Sequence, residues 1–263
     1  TPTIKVKSFN NKTNTMGLLD NESIPRRQMT LFFMIDKSGS MAGSKIGEVN
    51  DAIANVLPML GEISDENPDA EIKVAALEFA TDTRWLYDEP KLANEFIWQD
   101  VTAEGMTSLG EACQELGKKL SRNGGFMSSP SGCYAPAIIL LSDGGPTDNY
   151  EAGIKVLQGN SWFKSAIKIA IAIGDDADLD VLKQFTGSNE AIVRVHNLEA
   201  LKKMIRVIAI TSSQIGSKST TATDTTKQQQ VEEEIGKVVA DTPGAETAAA
   251  PKPAGGDSYD EWD

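Results

Sequence analysis

Three separate segments of the sequence carry hydroxyl and carboxylate side chains in patterns that could bind a cation. The segment "IDKSGSM" places Asp36, Ser38 and Ser40 at the end of an apolar run. The segment "EGMTSLGEA" contains Thr107, and "LLSDGGPTD" has Asp143 directly after a second apolar run. Carboxylate and hydroxyl oxygens suit hard divalent cations such as Mg2+. If the segments meet in the fold, they predict an all-oxygen cation site that waters and one outside ligand would complete.

Each segment also has a simpler interpretation as a helix cap. Serine, threonine and aspartate side chains after a strand commonly accept hydrogen bonds from the first N–H groups of the next helix. Thr107 or Ser108 could serve that purpose alone. The combination favours the cation site, because separately spaced segments carry matching oxygen ligands.

The elements that must position these segments alternate between strands and helices. The continuous apolar runs "MTLFFMI" and "AIILLS" are typical of strands buried on both faces, whereas the spacing in "SKIGEVNDAIANVLPMLGEI" predicts a helix. Five or six such strands predict an α/β fold, a Rossmann-like, doubly wound and mainly parallel sheet with helices on both faces. Ligands bind such sheets beyond the carboxyl ends of the strands, where the segments converge if the two runs are neighbours.

Together the segments resemble a von Willebrand factor type A (VWA) domain with an intact metal-ion-dependent adhesion site (MIDAS). The family pattern is D-x-S-x-S on the first loop, Thr on the second and Asp on the third, and this chain matches it at Asp36, Ser38, Ser40, Thr107 and Asp143. The resemblance implies that both serines and the threonine bind metal directly. It implies that the aspartates often act through water, which leaves one position for a partner's carboxylate.

Three longer stretches look like bacterial VWA proteins of tellurite-resistance and stress-response operons, the TerY-like group: "FFMIDKSGSMAGSKIGEVNDAI", "EGMTSLGEA" and "LLSDGGPTDNY". This resemblance implies a cytoplasmic adaptor. The oxygen donors favour Mg2+ in its site, with Mn2+ or Ca2+ as the alternatives. The adaptor's candidate partners are a Ser/Thr kinase and a PP2C-type phosphatase. Asp148 falls where many bacterial members also have an acid, and we expect it to support the site through hydrogen bonds.

The sequence favours binding over catalysis. A phosphotransferase of the haloacid-dehalogenase type requires D-x-D after the first strand, and Ser38 stands in place of the second carboxylate. The sequence has neither a G-x-x-x-x-G-K-[ST] phosphate loop nor a G-x-S-x-G elbow. The single histidine, His196, is interpreted as structural, and Cys113 as a core residue. A metal-dependent phosphohydrolase-like enzyme is the catalytic alternative.

Net charge, apolar run length and cysteine content exclude several classes of partner and location. The net charge of −13 argues against general binding to nucleic acid or to anionic membranes. The longest apolar runs are shorter than the roughly 20 residues of a membrane span, and no secretory signal is recognised. With only Cys113 and Cys133, a disulfide framework is not expected, and we predict reduced thiols in a cytoplasmic protein.

The predicted organisation is an N-terminal arm at 1–27, a VWA domain at 28–213 and an acidic, low-complexity tail at 214–263. The tail has ten acidic and four basic residues, a net charge of −6, and is expected to be largely disordered when alone. Within it, "VEEEIGKVV" has a helical apolar face formed by Val231, Ile235 and Val238, and "DSYDEWD" contains Tyr259 and Trp262. Both stretches are interpreted either as linker or as short partner-binding motifs.

Two further hypotheses concern this tail. Its threonine cluster is a candidate phosphorylation region or a simple spacer, and comprises Thr220, Thr221, Thr223, Thr225 and Thr226. Alternatively, its terminal carboxylates dock on the metal site of a neighbouring copy, which would make the chain a structural assembly protein.

Overall fold

A single sheet organises the computed structural model, which describes residues 25–143, 145–219 and 225–249. Its strands are β1 (Arg27–Asp36), β2 (Ala70–Phe79), β3 (Thr83–Trp85), β4 (Lys91–Leu92), β5 (Ala137–Ser142), β6 (Ile167–Ile173), β7 (Ile192–Val195) and β8 (Ala245–Thr247). The order is β3-β2-β1-β5-β6-β7-β8, and β4 also pairs with β2. The pairs among β2, β1, β5, β6 and β7 are parallel, whereas β3, β4 and β8 pair antiparallel at the two edges.

Helices cover both faces of the sheet. They are α1 (Ser44–Glu66), α2 (Leu109–Lys119), α3 (Tyr150–Gly159), α4 (Ser161–Ser165), α5 (Leu179–Thr186), α6 (Leu198–Gly216) and α7 (Lys227–Ala240). Buried residues of α1, α6 and α7 share one core cluster, and those of α2, α3, α4 and α5 share the other. The predicted α/β fold with a mainly parallel sheet is therefore confirmed. Within the described ranges, no helix combines the length and apolarity needed to cross a membrane.

Strand β1 shows why the first apolar run has no polar alternation. Leu31 and Phe33 belong to the core beneath α1 and α6, whereas Phe32 and Met34 belong to the opposite core. All four side chains are fully buried. Because burying one such side chain stabilises by about 1.5–3 kcal/mol, both faces of the strand must be apolar.

The position of β1 also determines where a ligand can bind. It lies between β2 and β5, where Ile35 pairs with Glu78 of β2 on one side and with Leu141 of β5 on the other. The two apolar runs are thus neighbouring strands, which is the condition under which the three segments converge. Because the connections leave β1 and β5 in opposite directions along the sheet, their carboxyl ends form the crevice typical of ligand sites in α/β folds.

The folded unit extends beyond residue 213, where the sequence predicted the domain to end. Helix α6 continues to Gly216, and residues assigned to the tail form α7 and β8. Val231 and Ile235 are fully buried, Val239 is also buried, and Val238 is only partly so. The low-complexity composition concealed this segment, because α7 has few apolar residues. They form a stable helix only when packed against α6 and β6, while β8 pairs with β7.

Candidate metal centre

The carboxylate of Asp36 lies at the end of β1 and is fully buried. Its Oδ1 accepts a hydrogen bond of 2.8 Å from the backbone N–H of Ser38. Its Oδ2 accepts one of 2.7 Å from the hydroxyl of Ser142, the last residue of β5. Burial raises the pKa of Asp36, and the hydrogen bonds from the two serines oppose that rise. A nearby cation would offset the cost of holding this charge in the interior.

A chain of hydrogen bonds joins the first loop to the third. The Ser38 and Ser40 hydroxyl oxygens are 3.1 Å apart, and Ser40 Oγ donates to Asp143 Oδ1 over 2.7 Å. The other oxygen, Asp143 Oδ2, lies 2.9 Å from the ammonium Nζ of Lys45. The structure thus places Ser38, Ser40 and Asp143 side by side, although Asp143 is more than a hundred residues away in the chain.

Backbone hydrogen bonds attach the second loop to both of the others. On one side, Gly39 N–H donates to Gly105 O over 3.0 Å, and Glu104 N–H donates to Lys37 O over 2.6 Å. On the other side, the N–H and the hydroxyl of Thr147 both donate to Thr107 O, at 2.8 and 3.2 Å. Thr107 is buried, and its own hydroxyl makes no hydrogen bond within the part of the chain that the structure describes.

The simpler interpretation, in which these residues cap helices, does not match the structure. Helix α1 begins after Gly43, and Ser108, which precedes α2, makes no side-chain cap. Helix α3 is capped by Asn149. Ser38 precedes the short 3-10 turn Gly39–Met41 but does not cap it either. The five predicted ligands are therefore not used to begin the neighbouring helices.

Asp148 joins the third loop to the start of α2. Its Oδ1 accepts the N–H of Gly110 and its Oδ2 the N–H of Glu111, both at 3.0 Å, so the third loop caps the helix that follows Thr107. The close approach requires glycine at position 110, since a Cβ there would lie 2.6 Å from the carbonyl oxygen of Asn149.

Sequence reasoning missed several residues around the site. Ser142 fixes Asp36, and Lys45 pairs with Asp143. The ammonium of Lys37 lies 3.1 Å from Glu104 Oε1 and 3.6 Å from the buried Glu78, so it ties the first loop to the second. Ser142 is adjacent to Asp143 in the printed motif and could have been noticed, whereas nothing in the sequence indicates which lysine contacts which acid.

The remaining candidates lie elsewhere. His196 Nδ1 is 2.8 Å from Asp175 Oδ1, and its Nε2 is 3.4 Å from Glu246 Oε1, so this histidine attaches β8 to the sheet. Cys113 and Cys133 are buried and free. Thr226 caps α7 through a capping box, and Thr225 precedes it. The other candidates lie outside the described residues: Thr220, Thr221, Thr223, Tyr259 and Trp262.

The donor set fits a hard cation. It comprises two carboxylates and three hydroxyls, and the hydroxyl of Thr107 has no competing partner among the described residues. Among those residues, no group of three or more His, Cys, Asp or Glu side chains is arranged to hold a metal ion, so the hydroxyls of Ser38, Ser40 and Thr107 would be needed beside the two carboxylates.

Comparison with known proteins gives the family. The model of the von Willebrand factor type A domain matches residues 30–207. This chain belongs to that family. The match ends within α6, so α7 and β8 lie beyond it.

Individual relatives of the VWA chain are distant. It is 26% identical over 185 residues to inter alpha-trypsin inhibitor heavy chain 4 of Mus musculus, covering 66% of this chain and 18% of that protein. The pilus adhesin SpaC of Lactobacillus rhamnosus GG superimposes with a TM-score of 0.58 at 14% identity, over 72% of this chain and 31% of SpaC. Proximal thread matrix protein 1 of the mussel byssus, with a zinc-occupied MIDAS motif, gives 0.53 at 13% identity, over 72% and 48%. These structures share the fold, and this chain spans less than half of each.

Proposed function

We propose that this VWA protein is an intracellular adaptor that binds other proteins through a metal ion. Five residues would hold the ion: Asp36, Ser38, Ser40, Thr107 and Asp143. A partner's aspartate or glutamate would complete the coordination. The observation that carries the proposal is the convergence of three loops whose oxygens are not used as helix caps.

The family supports this proposal at a coarser level. VWA domains commonly mediate metal-dependent protein–protein interactions. One structure of the same fold, the mussel matrix protein, has zinc in its MIDAS motif. We propose Mg2+ for this chain because the donors are exclusively oxygen, with Mn2+ or Ca2+ as alternatives.

The chain's own residues would determine how rigid the site is. Bound at this site, the cation supplies an electrophilic position for a carboxylate. Asp148 holds the start of α2, and Thr147 holds the carbonyl of Thr107, so the second loop cannot move without the third. The backbone hydrogen bonds from Gly39 to Gly105 and from Glu104 to Lys37 impose the same restriction on the first loop. A carboxylate that shifts one loop would therefore shift all three.

We further propose, from the TerY-like motifs, a cytoplasmic role in a bacterial stress-response or tellurite-resistance system. A Ser/Thr kinase and a PP2C-type phosphatase are the candidate partners. Pull-downs with the tagged protein in Mg2+ and in chelator would test the adaptor role. We expect a partner that is retained in Mg2+ and released by chelator; equal retention in both would refute metal-dependent binding.

Calorimetric titration with Mg2+ tests the site directly. Asp36→Ala and Thr107→Ala each remove one proposed ligand and should abolish the binding heat. Asp65→Ala is the control, because this exposed carboxylate lies at the opposite end of α1. Unchanged Mg2+ affinity in both ligand variants would overturn the proposed site.

A further inference from the structure

The ammonium of Lys45 pairs with Asp143, one of the residues that would hold the proposed metal. Its Nζ lies 2.9 Å from Asp143 Oδ2. The side chain of Asp143 is 0% exposed, whereas that of Lys45 is 21% exposed. The second oxygen of the same carboxylate already accepts from Ser40. Both oxygens of Asp143 are thus engaged, one of them by a full positive charge.

Lys45 lies at the N-terminus of its helix, where its positive charge needs a compensating acid. Lys45 is the second residue of α1, and the first turn of that helix contains no acidic residue. Positive charge near a helix N-terminus is unfavourable, because the unpaired N–H groups there already give a partial positive charge. Asp143 offsets that cost, since a buried carboxylate is strongly destabilising unless a cation lies beside it.

From this geometry we propose that Lys45 is an internal cation that competes with the divalent metal for Asp143. The inference rests on the proposed function and concerns the regulation of the same site. Asp36 and Asp143 together contribute two negative charges, and Lys45 cancels one of them. A divalent cation added with Lys45 in place would meet a like charge at its own ligand.

The consequence is an exchange between two cations. When the metal binds, the ammonium of Lys45 leaves Asp143 for the solvent that it already partly contacts. The ion pair between Lys45 and Asp143 exists only when the metal is not bound. It therefore stabilises the site without metal and weakens metal binding by the same free energy. Lys45 therefore sets the metal concentration at which the site becomes able to accept a partner's carboxylate.

Mg2+ titration of Lys45→Gln and Lys45→Arg tests this exchange. The glutamine variant loses the charge at similar length, and its Mg2+ affinity should rise by up to about fivefold, the size expected for losing one partly exposed ion pair. The arginine variant keeps the charge and should bind Mg2+ as the wild type does. Lys155→Gln, an exposed lysine of α3, controls for the change in net charge.

Thermal melting provides a readout independent of binding heat. Without metal, Lys45→Gln should melt below the wild type, and added Mg2+ should raise its melting temperature more. Mg2+ affinity equal to or weaker than wild type in a folded Lys45→Gln variant would overturn the exchange while leaving the metal site intact. Absence of Mg2+ binding in the wild type and both Lys45 variants would overturn the proposed function as well. Binding in Lys45→Gln alone would support the exchange.

Discussion

Replacing Asp148 with alanine tests whether the third loop holds the second. The substitution removes both acceptors from the first N–H groups of α2. Loss of one helix N-cap costs about 1 kcal/mol, so losing two bonds to a half-exposed carboxylate should cost about 2 kcal/mol. For a domain of this size, that corresponds to a decrease of about 4–8 °C in melting temperature.

The same change should weaken the proposed metal site without touching a ligand. Thr107 lies two residues before the helix that Asp148 caps, and removal of a residue that orients a metal ligand typically weakens metal binding by about tenfold or more. Thermal melts and Mg2+ titrations of the same preparations would measure both effects. Asp148→Asn keeps one acceptor oxygen and should lie between the alanine variant and the wild type.

The neighbouring Asn149 offers a matched control. Its side chain caps α3 with a single bond of 3.3 Å from Ala152 N–H, and it has no such bond to α2. Asn149→Ala should cost less than about 1 kcal/mol and leave Mg2+ affinity unchanged. If Asp148→Ala melted and bound Mg2+ like the wild type, the coupling between these loops would be refuted.

Three further predictions concern the rest of the chain. Ile235→Ala should destabilise by about 3 kcal/mol in urea unfolding, because the side chain is fully buried against α6, whereas Val238→Ala should cost less than about 1 kcal/mol. Equal effects would show that α7 is not packed as described. A thiol reagent should label Cys113 and Cys133 only in denaturant, since both are buried and burial raises the pKa of Cys113; rapid labelling of the native protein would contradict this. Because burial raises the pKa of Asp36, the metal-free protein should lose the corresponding stability as pH rises through the folded-state pKa. Asp36→Asn should therefore gain in melting temperature over the wild type toward neutral pH, and a constant difference across pH would refute the assignment.

The sequence by itself determined the fold class and the proposed ligands. Strands such as β1 and β5 are buried on both faces, so their apolar runs are visible without any partner. Asp36 and Asp143 are the first charged residues at the ends of those apolar runs, where a parallel sheet has its ligand-binding edge. Both features involve residues that are adjacent in the chain, so the hydrophobic pattern is sufficient to predict them.

The tertiary structure alone decided what those side chains contact. Whether Ser40 caps a helix or faces Asp143 depends on a hydrogen bond between residues 103 positions apart, which no local pattern encodes. The contacts of Asp148 with Gly110 and of Lys45 with Asp143 also join segments that are distant in the chain, and these segments meet only when the sheet is formed. The segment after residue 213 depends on its surroundings even more, because α7 has few apolar residues and is stable only where they pack against α6 and β6.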